Sequence, residues 1–151
     1  MASITLADIE AAHQQVSEMI ATFKAQAPRT VRIAQAEIEL QPGELYTGLI
    51  LGGEGVPSHY LILLPGDADN VTWDQAKAFA AKAGGELPTR REQSLLFANL
   101  KDQFEQRWYW SCEQHAAHDD DAWLQLFDNG YQYYDNKSAG LRARAVRRLP
   151  I

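Results

Sequence analysis

Two histidines and three aspartates, close together in the second half of the chain, could bind a metal ion. His115 and His118 are followed by Asp119, Asp120 and Asp121, which supply the nitrogen and oxygen donors that divalent cations use. The spacing matches no established zinc motif, and a run of this polarity is typical of a solvated acidic loop. We therefore predict no metal site, with binding of a divalent ion as the alternative.

Cys112 is the only cysteine of the chain and therefore its only thiol nucleophile. A nucleophilic cysteine must be exposed and must have a histidine or another base nearby. Cys112 lies in the aromatic segment Trp108–Cys112, which favours a buried, inert thiol. The sequence also lacks the Gly-x-Ser-x-Gly turn and the lysine of a phosphate-binding loop. We therefore predict no catalytic residue, no cofactor and no enzymatic activity.

Tyrosines and small polar residues are concentrated around one tight turn, Asn129-Gly130, which is a strong hairpin signal. Tyrosine offers a large contact area at low entropic cost, and aspartate or asparagine offers adaptable hydrogen bonds. The alternative is that alternate tyrosines only pack on the sheet. We predict a ligand-binding face that consists of His118, Asp119, Asp120, Asp121, Tyr131, Tyr133, Tyr134 and Asn136.

Three capping boxes mark the starts of helices. In each box a threonine caps the helix, and a residue three positions later caps the threonine in return. They predict a helix within residues 1–27, one over Trp73–Ala83 and one that ends near Phe104. Between the last two helices, Gly84-Gly85 ends one helix and Leu87-Pro88 is extended, which predicts a tight corner. The capping pairs are Thr5 with Asp8, Thr72 with Gln75, and Thr89 with Glu92.

The first helix carries its bulky apolar residues in one narrow stripe. The stripe has the a/d spacing of a coiled coil over about two heptads, at Ile9, Ala12, Val16, Met19 and Phe23. This spacing predicts a homo-oligomer through the helix, or docking on a larger particle. The alternative is an amphipathic helix that packs on its own domain. We expect residues 1–28 to form this helical segment and residues 29–151 to form the second domain.

The remaining apolar segments have the length and alternation of strands. Residues 30–40 change phase halfway, which predicts a bulge or two short strands. Leu45–Leu51 and His59–Leu64 predict a hairpin with a longer loop. The second half predicts four strands, with Trp123 and Phe127 at core positions, over Trp108–Cys112, Ala122–Asp128, Tyr131–Asp135 and Leu141–Leu149. This order of helices and strands predicts an α+β fold with antiparallel pairing.

Composition and charge limit the classes of function. The 151 residues suit one domain with a small appendage, and the formal net charge of −6 argues against a nucleic-acid partner. No apolar run is long enough to span a bilayer, and the N-terminus lacks the basic and apolar regions of a signal peptide. We therefore predict cytoplasmic synthesis, no membrane insertion and no nucleic-acid partner.

Six segments of the chain together carry a family resemblance. They are Trp73-Asp74-Gln75-Ala76, Gly85 through Glu92, Tyr109 through Glu113, Ala122-Trp123, Phe127 through Gly130, and Arg144 through Arg147. In order and spacing they resemble the C-type-lectin-like domains of unknown function found in phage and bacterial proteins, a family named for the C-terminal domain of a bacterial collagen-like protein. The resemblance covers residues 45–149 and leaves residues 1–40 outside.

The resemblance implies a C-type-lectin-like fold, in which two helices flank a twisted, mostly antiparallel sheet, here with an extra N-terminal helix. Calcium-dependent sugar binding is not implied, because the Glu-Pro-Asn and Trp-Asn-Asp motifs are missing. Phage receptor-binding proteins and the variable proteins of retroelements share the fold and display a face rich in tyrosine and asparagine. The segment His118–Asn136 is similar to that face.

The resemblance therefore implies a non-enzymatic module that binds a ligand or receptor, encoded by a phage or prophage and associated with a tail or with host-surface recognition. Its expected partner is a protein or cell-surface ligand, and both a virion and the cytoplasm are open as its destination. One alternative is a structural component of a phage tail. The second is an enzyme of the formylglycine-generating type, which needs two cysteines where this chain has one.

Overall fold

A computed structural model describes residues 2–33 and 35–151 of the chain. The chain divides into two units, Met1–Ile38 and Glu39–Ile151, whereas the sequence suggested a boundary after residue 28. The expected α+β class is confirmed, since the described residues form three α-helices and mostly antiparallel strands. No helix within the described residues combines the length and the apolar character needed to cross a bilayer.

The described residues of the first unit form one helix, α1, over Leu6–Gln26. Its capping box forms as predicted, because Thr5 Oγ1 accepts the Asp8 N–H and the Asp8 carboxylate accepts the Thr5 N–H. None of its 21 residues, all of them described, is buried. The strands expected over residues 30–40 are absent from the described part of that segment, which excludes Ala34. Alternation alone cannot form a strand without a neighbouring strand to pair with.

The second unit contains two further α-helices and eight strands. The helices are α2 over Trp73–Lys82 and α3 over Arg90–Leu100, which a short 3₁₀ turn over Lys101–Gln103 follows. Both begin at the predicted capping boxes. The strands are β1 Leu45–Ile50, β2 His59–Leu63, β3 Ala68–Val71, β4 Trp108–Gln114, β5 Asp121–Leu126, β6 Gln132–Asn136, β7 Leu141–Ala143 and β8 Val146–Pro150.

The strands form two sheets where the resemblance implied one. The smaller sheet has the order β1-β2-β8, and the larger has the order β3-β7-β4-β5-β6. All of their pairings are antiparallel except β4 with β7. The β1–β2 and β5–β6 hairpins are both confirmed. In this order β5 is an inner strand, whereas β6 is an edge strand.

The single strand predicted over Leu141–Leu149 is wrong, because the chain changes sheets within it. β7 ends at Ala143 in the larger sheet, and β8 begins at Val146 in the smaller sheet. Between them, Ala145 accepts the Leu64 N–H at 2.9 Å, and the Arg144 guanidinium donates to the Leu64 carbonyl at 3.0 Å. Residues Arg144 and Ala145 therefore connect the two sheets. The alternation of the sequence continues across this connection, and for that reason it predicted one strand instead of two.

Two clusters of buried side chains form the core of this unit. One cluster packs around α2 and includes the fully buried Trp110, whose indole N–H donates to the Val71 carbonyl at 2.9 Å. The other packs around α3, with Leu96, Tyr109 and Phe127 buried. Both clusters are apolar, and their area removed from water is the main stabilising contribution to the fold.

The predicted corner between α2 and α3 forms and contacts both sheets. Gly84 has φ +90°, in the left-handed region that ends a helix. A Cβ on Gly85 would lie 2.2 Å from the Val146 carbonyl oxygen, so only glycine fits at this position. Glu86 then pairs with Val146 of β8, and the Pro88 carbonyl accepts the Cys112 N–H of β4 at 2.9 Å. This corner therefore fixes the N-terminus of α3 against β4 and β8.

Candidate functional site

The turn at Asn129-Gly130 places β6 at the edge of the larger sheet. Gly130 has φ +81°, and its N–H donates to the Leu126 carbonyl at 2.9 Å. Asn129 Oδ1 accepts the Tyr131 N–H at 2.9 Å and holds the chain in the turn. Because β6 has a neighbouring strand on one side only, side chains at that edge are open to solvent.

Four aromatic rings lie in sequence along β6 and the loop before β5. We call Tyr131, Tyr133, Tyr134 and His118 the β6 aromatic surface. Successive rings are nearly parallel, with centroid separations of 6.2 Å from Tyr131 to Tyr133, 4.8 Å to Tyr134 and 5.7 Å to His118. Tyr131 is 57% exposed and Tyr133 is 49% exposed, whereas Tyr134 is half-buried. The structure therefore brings four of the predicted ligand-binding residues together, and their role stays a prediction.

Two further aromatic residues support this surface from below. The His115 ring lies 4.3 Å from the Tyr134 ring and 5.1 Å from the Trp123 ring. Trp123 is half-buried, so its predicted core position is wrong, whereas Phe127 is buried as predicted. The Trp123 ring contacts His115, Tyr134 and the Arg90 guanidinium, which lies 3.5 Å from it, and these neighbours leave part of the ring exposed to solvent.

The predicted acidic loop lies beside the C-terminal end of β6. Asp119 and Asp120 are exposed, and Asp121 is half-buried at the first position of β5. Backbone bonds hold the loop, since the His115 N–H donates to Asp121 and the Asp121 N–H donates to His118. Among the residues that the structure describes, no three His, Cys, Asp or Glu side chains converge as metal ligands. The rings of the two histidines lie 4.6 Å apart and are tilted by 34° to each other.

Asn136 lies opposite Asp121 in the β5–β6 register, next to the acidic loop. Its Oδ1 accepts the Ser138 N–H at 2.9 Å and the Ser138 hydroxyl at 2.6 Å. This oxygen therefore shapes the turn after β6, and only the amide NH₂ of Asn136 remains for a ligand.

The Cys112 thiol is half-buried, less than the sequence suggested, yet its environment suppresses its reactivity. Burial, and to a smaller extent the nearby charges of Glu113 and Glu92, together raise the pKa of Cys112 to about 11. The thiolate is the nucleophilic form, and at neutral pH this thiol keeps its proton. The geometry therefore offers no support for a thiol mechanism.

A second region, which the sequence did not reveal, is a cleft of about 520 Å³ at the N-terminus of α3. We call it the α3 cleft. Helix α3 and the strands β1, β2, β4 and β6 each contribute to its wall. Its lining residues are Ile50, His59, Thr89, Arg90, Arg91, Ser94, Glu113 and Gln132.

Glu92, directly behind the α3 cleft, is fully buried and ion-paired. Its carboxylate accepts two bonds from the Arg148 guanidinium, both at 2.7 Å, and lies 2.7 Å from His59 Nε2. It also accepts the Thr89 N–H at 2.8 Å, which completes the capping box. Because a buried carboxylate is costly unless it is paired, the contacts with Arg148 and His59 are what make the burial of Glu92 possible.

The capping pattern identified Glu92 but could not indicate this pairing. A capping box requires only a glutamate three residues after a threonine, and an exposed glutamate satisfies it equally well. His59 lies 33 residues before Glu92 and Arg148 lies 56 residues after it. No local signal in the sequence links three residues so far apart.

Ser94 also lines the α3 cleft, and within the described part of the chain its hydroxyl is not paired with a base that could activate it. Its hydroxyl donates to the Arg90 carbonyl at 3.2 Å, and His59 Nε2 is bonded to Glu92. Among the described residues, therefore, no base accepts a hydrogen bond from the Ser94 hydroxyl.

The two regions differ in what they can bind. The β6 aromatic surface offers stacking and a few polar groups, and the α3 cleft offers arginine donors in a recess that is open to solvent and partly apolar. Comparison of the chain with protein-family models and with curated proteins finds no match.

Proposed function

We propose that residues 39–151 form a non-enzymatic binding module with a C-type-lectin-like fold, phage or prophage encoded, which binds a protein or cell-surface ligand. The observation that carries this proposal is the β6 aromatic surface. Two of its tyrosines, Tyr131 directly before the edge strand and Tyr133 on it, are about half exposed and lie in a row of nearly parallel rings. Exposed tyrosines of this kind are enriched at protein recognition sites.

The scaffold beneath this surface suits recognition. β5 lies between β4 and β6, and its residues Ala122 and Leu124 are buried in the core. The exposed residues of β6 and of the acidic loop can therefore change without altering that core. A rigid scaffold with changeable outer residues is what a module needs if its ligands differ between relatives.

The positions of the resembling segments support the fold part of the proposal. Leu87 and Trp110, from two of these segments, are buried in the cluster around α2. Pro88 accepts a backbone bond from Cys112, so these two segments also contact each other. Fold alone does not decide function, and the ligand-binding role therefore depends on the β6 aromatic surface.

We further propose that α1 assembles copies of the chain. Its stripe is exposed, and Ile9, Val16, Met19 and Phe23 are each more than half accessible. An apolar stripe with coiled-coil spacing is stabilised when a second copy covers it. Several linked copies would also raise the avidity of a weak single site.

The test replaces two tyrosines of the surface, as Tyr133→Ala with Tyr134→Ala. Wild-type protein is first screened by biolayer interferometry against immobilised glycans and bacterial cell-envelope preparations, and each binder is retested with the variant. We expect binding to weaken about tenfold or more, because central aromatic residues contribute most of an interface energy. Tyr46→Ala is the matched control, since Tyr46 is 47% exposed on β1 of the other sheet.

Unchanged binding by a correctly folded double variant would show that the β6 surface is not the site. The structural alternative, a tail component, is favoured by the exposed stripe of α1 and makes a different prediction. Val16→Asp with Met19→Asp should abolish assembly in light scattering in either case. Only if the module is a binder will the resulting monomer keep its single-site affinity.

A further inference from the structure

The α3 cleft has no part in the function proposed above. One of its two arginines, Arg90, is held in place by neighbouring side chains. The Arg90 guanidinium lies 3.5 Å above the Trp123 ring, and its Nε donates to Gln132 Oε1 at 3.1 Å. Gln132 is held in turn, because its amide donates to Gln125 Oε1 and to the Arg90 carbonyl, both at 2.8 Å. Arg90 is therefore fixed in place before any ligand arrives.

The two terminal nitrogens of Arg90 make none of these hydrogen bonds. Within the described residues, no hydrogen bond uses either Nη atom of Arg90, whose side chain is bonded only through Nε. A guanidinium presents its N–H groups as a planar fork that matches a carboxylate or phosphate. An oriented fork with free donors at a cleft is the arrangement that binds such an anion.

The neighbouring charges favour an anion as well. Arg91 is exposed at the rim of the cleft, where one Nη donates to the Leu51 carbonyl at 3.0 Å and orients the side chain. Glu113 is the one carboxylate in the lining, and it accepts the Arg90 N–H at 2.6 Å, at the positive end of α3. The lining therefore holds two guanidinium groups against one carboxylate, on a chain whose net charge is −6.

We propose that the α3 cleft binds a small organic oxyanion, which carries a phosphate or carboxylate group to Arg90 and Arg91. The volume of about 520 Å³ exceeds what a bare ion fills and lies in the range of small-molecule sites. Ile50 gives the cleft an apolar wall for the body of the ligand, and the Ser94 hydroxyl gives it a further polar contact. Ligands that combine an anionic group with a compact apolar body therefore fit best.

The test uses three probes with the full chain, namely inorganic phosphate, phenyl phosphate and benzoate. Titrations are followed by ¹H–¹⁵N NMR at constant ionic strength, since surface electrostatics are screened by salt. We expect saturable shifts at Arg90 Nε–H, the Trp123 indole and the amides of residues 89–94. Phenyl phosphate should bind more tightly than inorganic phosphate, and its affinity relative to benzoate distinguishes a phosphate site from a carboxylate site.

Two variants examine the arginines separately. Arg90→Gln should weaken the tightest probe about tenfold or more, because bonds to charged groups are the stronger class. Arg91→Gln should weaken it less, and it keeps the test valid if loss of the Trp123 contact disturbs the Arg90 variant. Arg107→Gln is the matched control, because it removes the same charge from an exposed position outside the cleft, and it should leave the affinity unchanged.

The proposal is overturned if no probe gives saturable shifts at these groups, or if the control weakens binding as much as the two cleft variants do. It is independent of the function proposed for β6. Tyr133→Ala with Tyr134→Ala should leave probe binding intact, and Arg91→Gln should leave binding to cell-envelope ligands intact. Failure of one proposal can therefore be distinguished from failure of the other.

Discussion

Helices α1 and α3 begin with the same capping arrangement but differ in how far their side chains are buried. In both, a threonine accepts the N–H of the residue three positions later at 3.2 Å, and an acidic side chain bonds back to the threonine N–H. α1 has no buried residue among its 21, whereas α3 buries Glu92, Gln93 and Leu96. The cap determines where a helix begins, but it carries no information about what the helix packs against.

The two helices also depart from the rule that apolar side chains are buried and polar side chains are exposed. The stripe on α1 is the more apolar one, yet Phe23 is 73% exposed and Met19 is 64% exposed. On α3 a glutamate and a glutamine are completely buried. They can be buried because Arg148 pairs with Glu92, and because the Tyr109 carbonyl accepts a bond from Gln93 at 3.1 Å.

Among tests of this comparison, we expect Arg148→Met to have the largest effect on the free energy of unfolding. The change leaves the Glu92 carboxylate buried without its main cationic partner, and we expect a loss of about 3–5 kcal/mol in the free energy of unfolding. Urea denaturation followed by tryptophan fluorescence measures it, because all four tryptophans lie after residue 38. A second change, Glu92→Gln, should recover part of the loss. If the double variant is as unstable as the single one, the ion pair is not the cause.

Truncation of an apolar side chain in each helix should show the next largest difference in the free energy of unfolding. Leu96 is fully buried in α3, and Leu96→Ala should cost about 2–5 kcal/mol of unfolding free energy through lost burial and a cavity. Val16→Ala in α1 removes two methyl groups from a side chain that is 54% exposed. The same tryptophan signal should show no change for this variant. Equal destabilisation by both would mean that α1 contributes to the second unit's stability.

The smallest effect should come from the caps themselves. Thr89→Ala removes the side-chain acceptor of the Glu92 N–H, and we expect a loss of about 1 kcal/mol in the urea denaturation of the second unit. Thr5→Ala removes the matching contact in α1 and should leave that transition unchanged, while far-ultraviolet circular dichroism falls slightly. A shift of the tryptophan transition by Thr5→Ala would contradict the division into two units.

Much of the fold could be predicted because its signals are local. Three capping boxes, the corner at Gly84-Gly85 and the turn at Asn129-Gly130 each lie within a few residues, and all of them form. The predictions that failed depended on distant partners. Residues 30–40 alternate but have no described strand to pair with, and the break between β7 and β8 follows from which sheet each half joins.

The candidate sites divide in the same way. The β6 tyrosines follow each other along the chain, so their clustering on one edge could be expected from the turn that precedes them. The α3 cleft could not be expected, because His59, Arg90, Glu113 and Gln132 come from four separate elements. Each of these residues has an ordinary local explanation, and only their approach in the folded chain creates the cleft.

By itself the sequence determined where helices begin, where the chain turns and which tyrosines lie side by side. These outcomes depend on hydrogen bonds and backbone preferences that act over three or four residues. Only the tertiary structure decided that Glu92 is buried against Arg148, that Arg90 lies on Trp123, and that the stripe of α1 remains exposed. Burial and charge pairing join residues far apart in the chain, and their strength depends on distances that the fold alone provides.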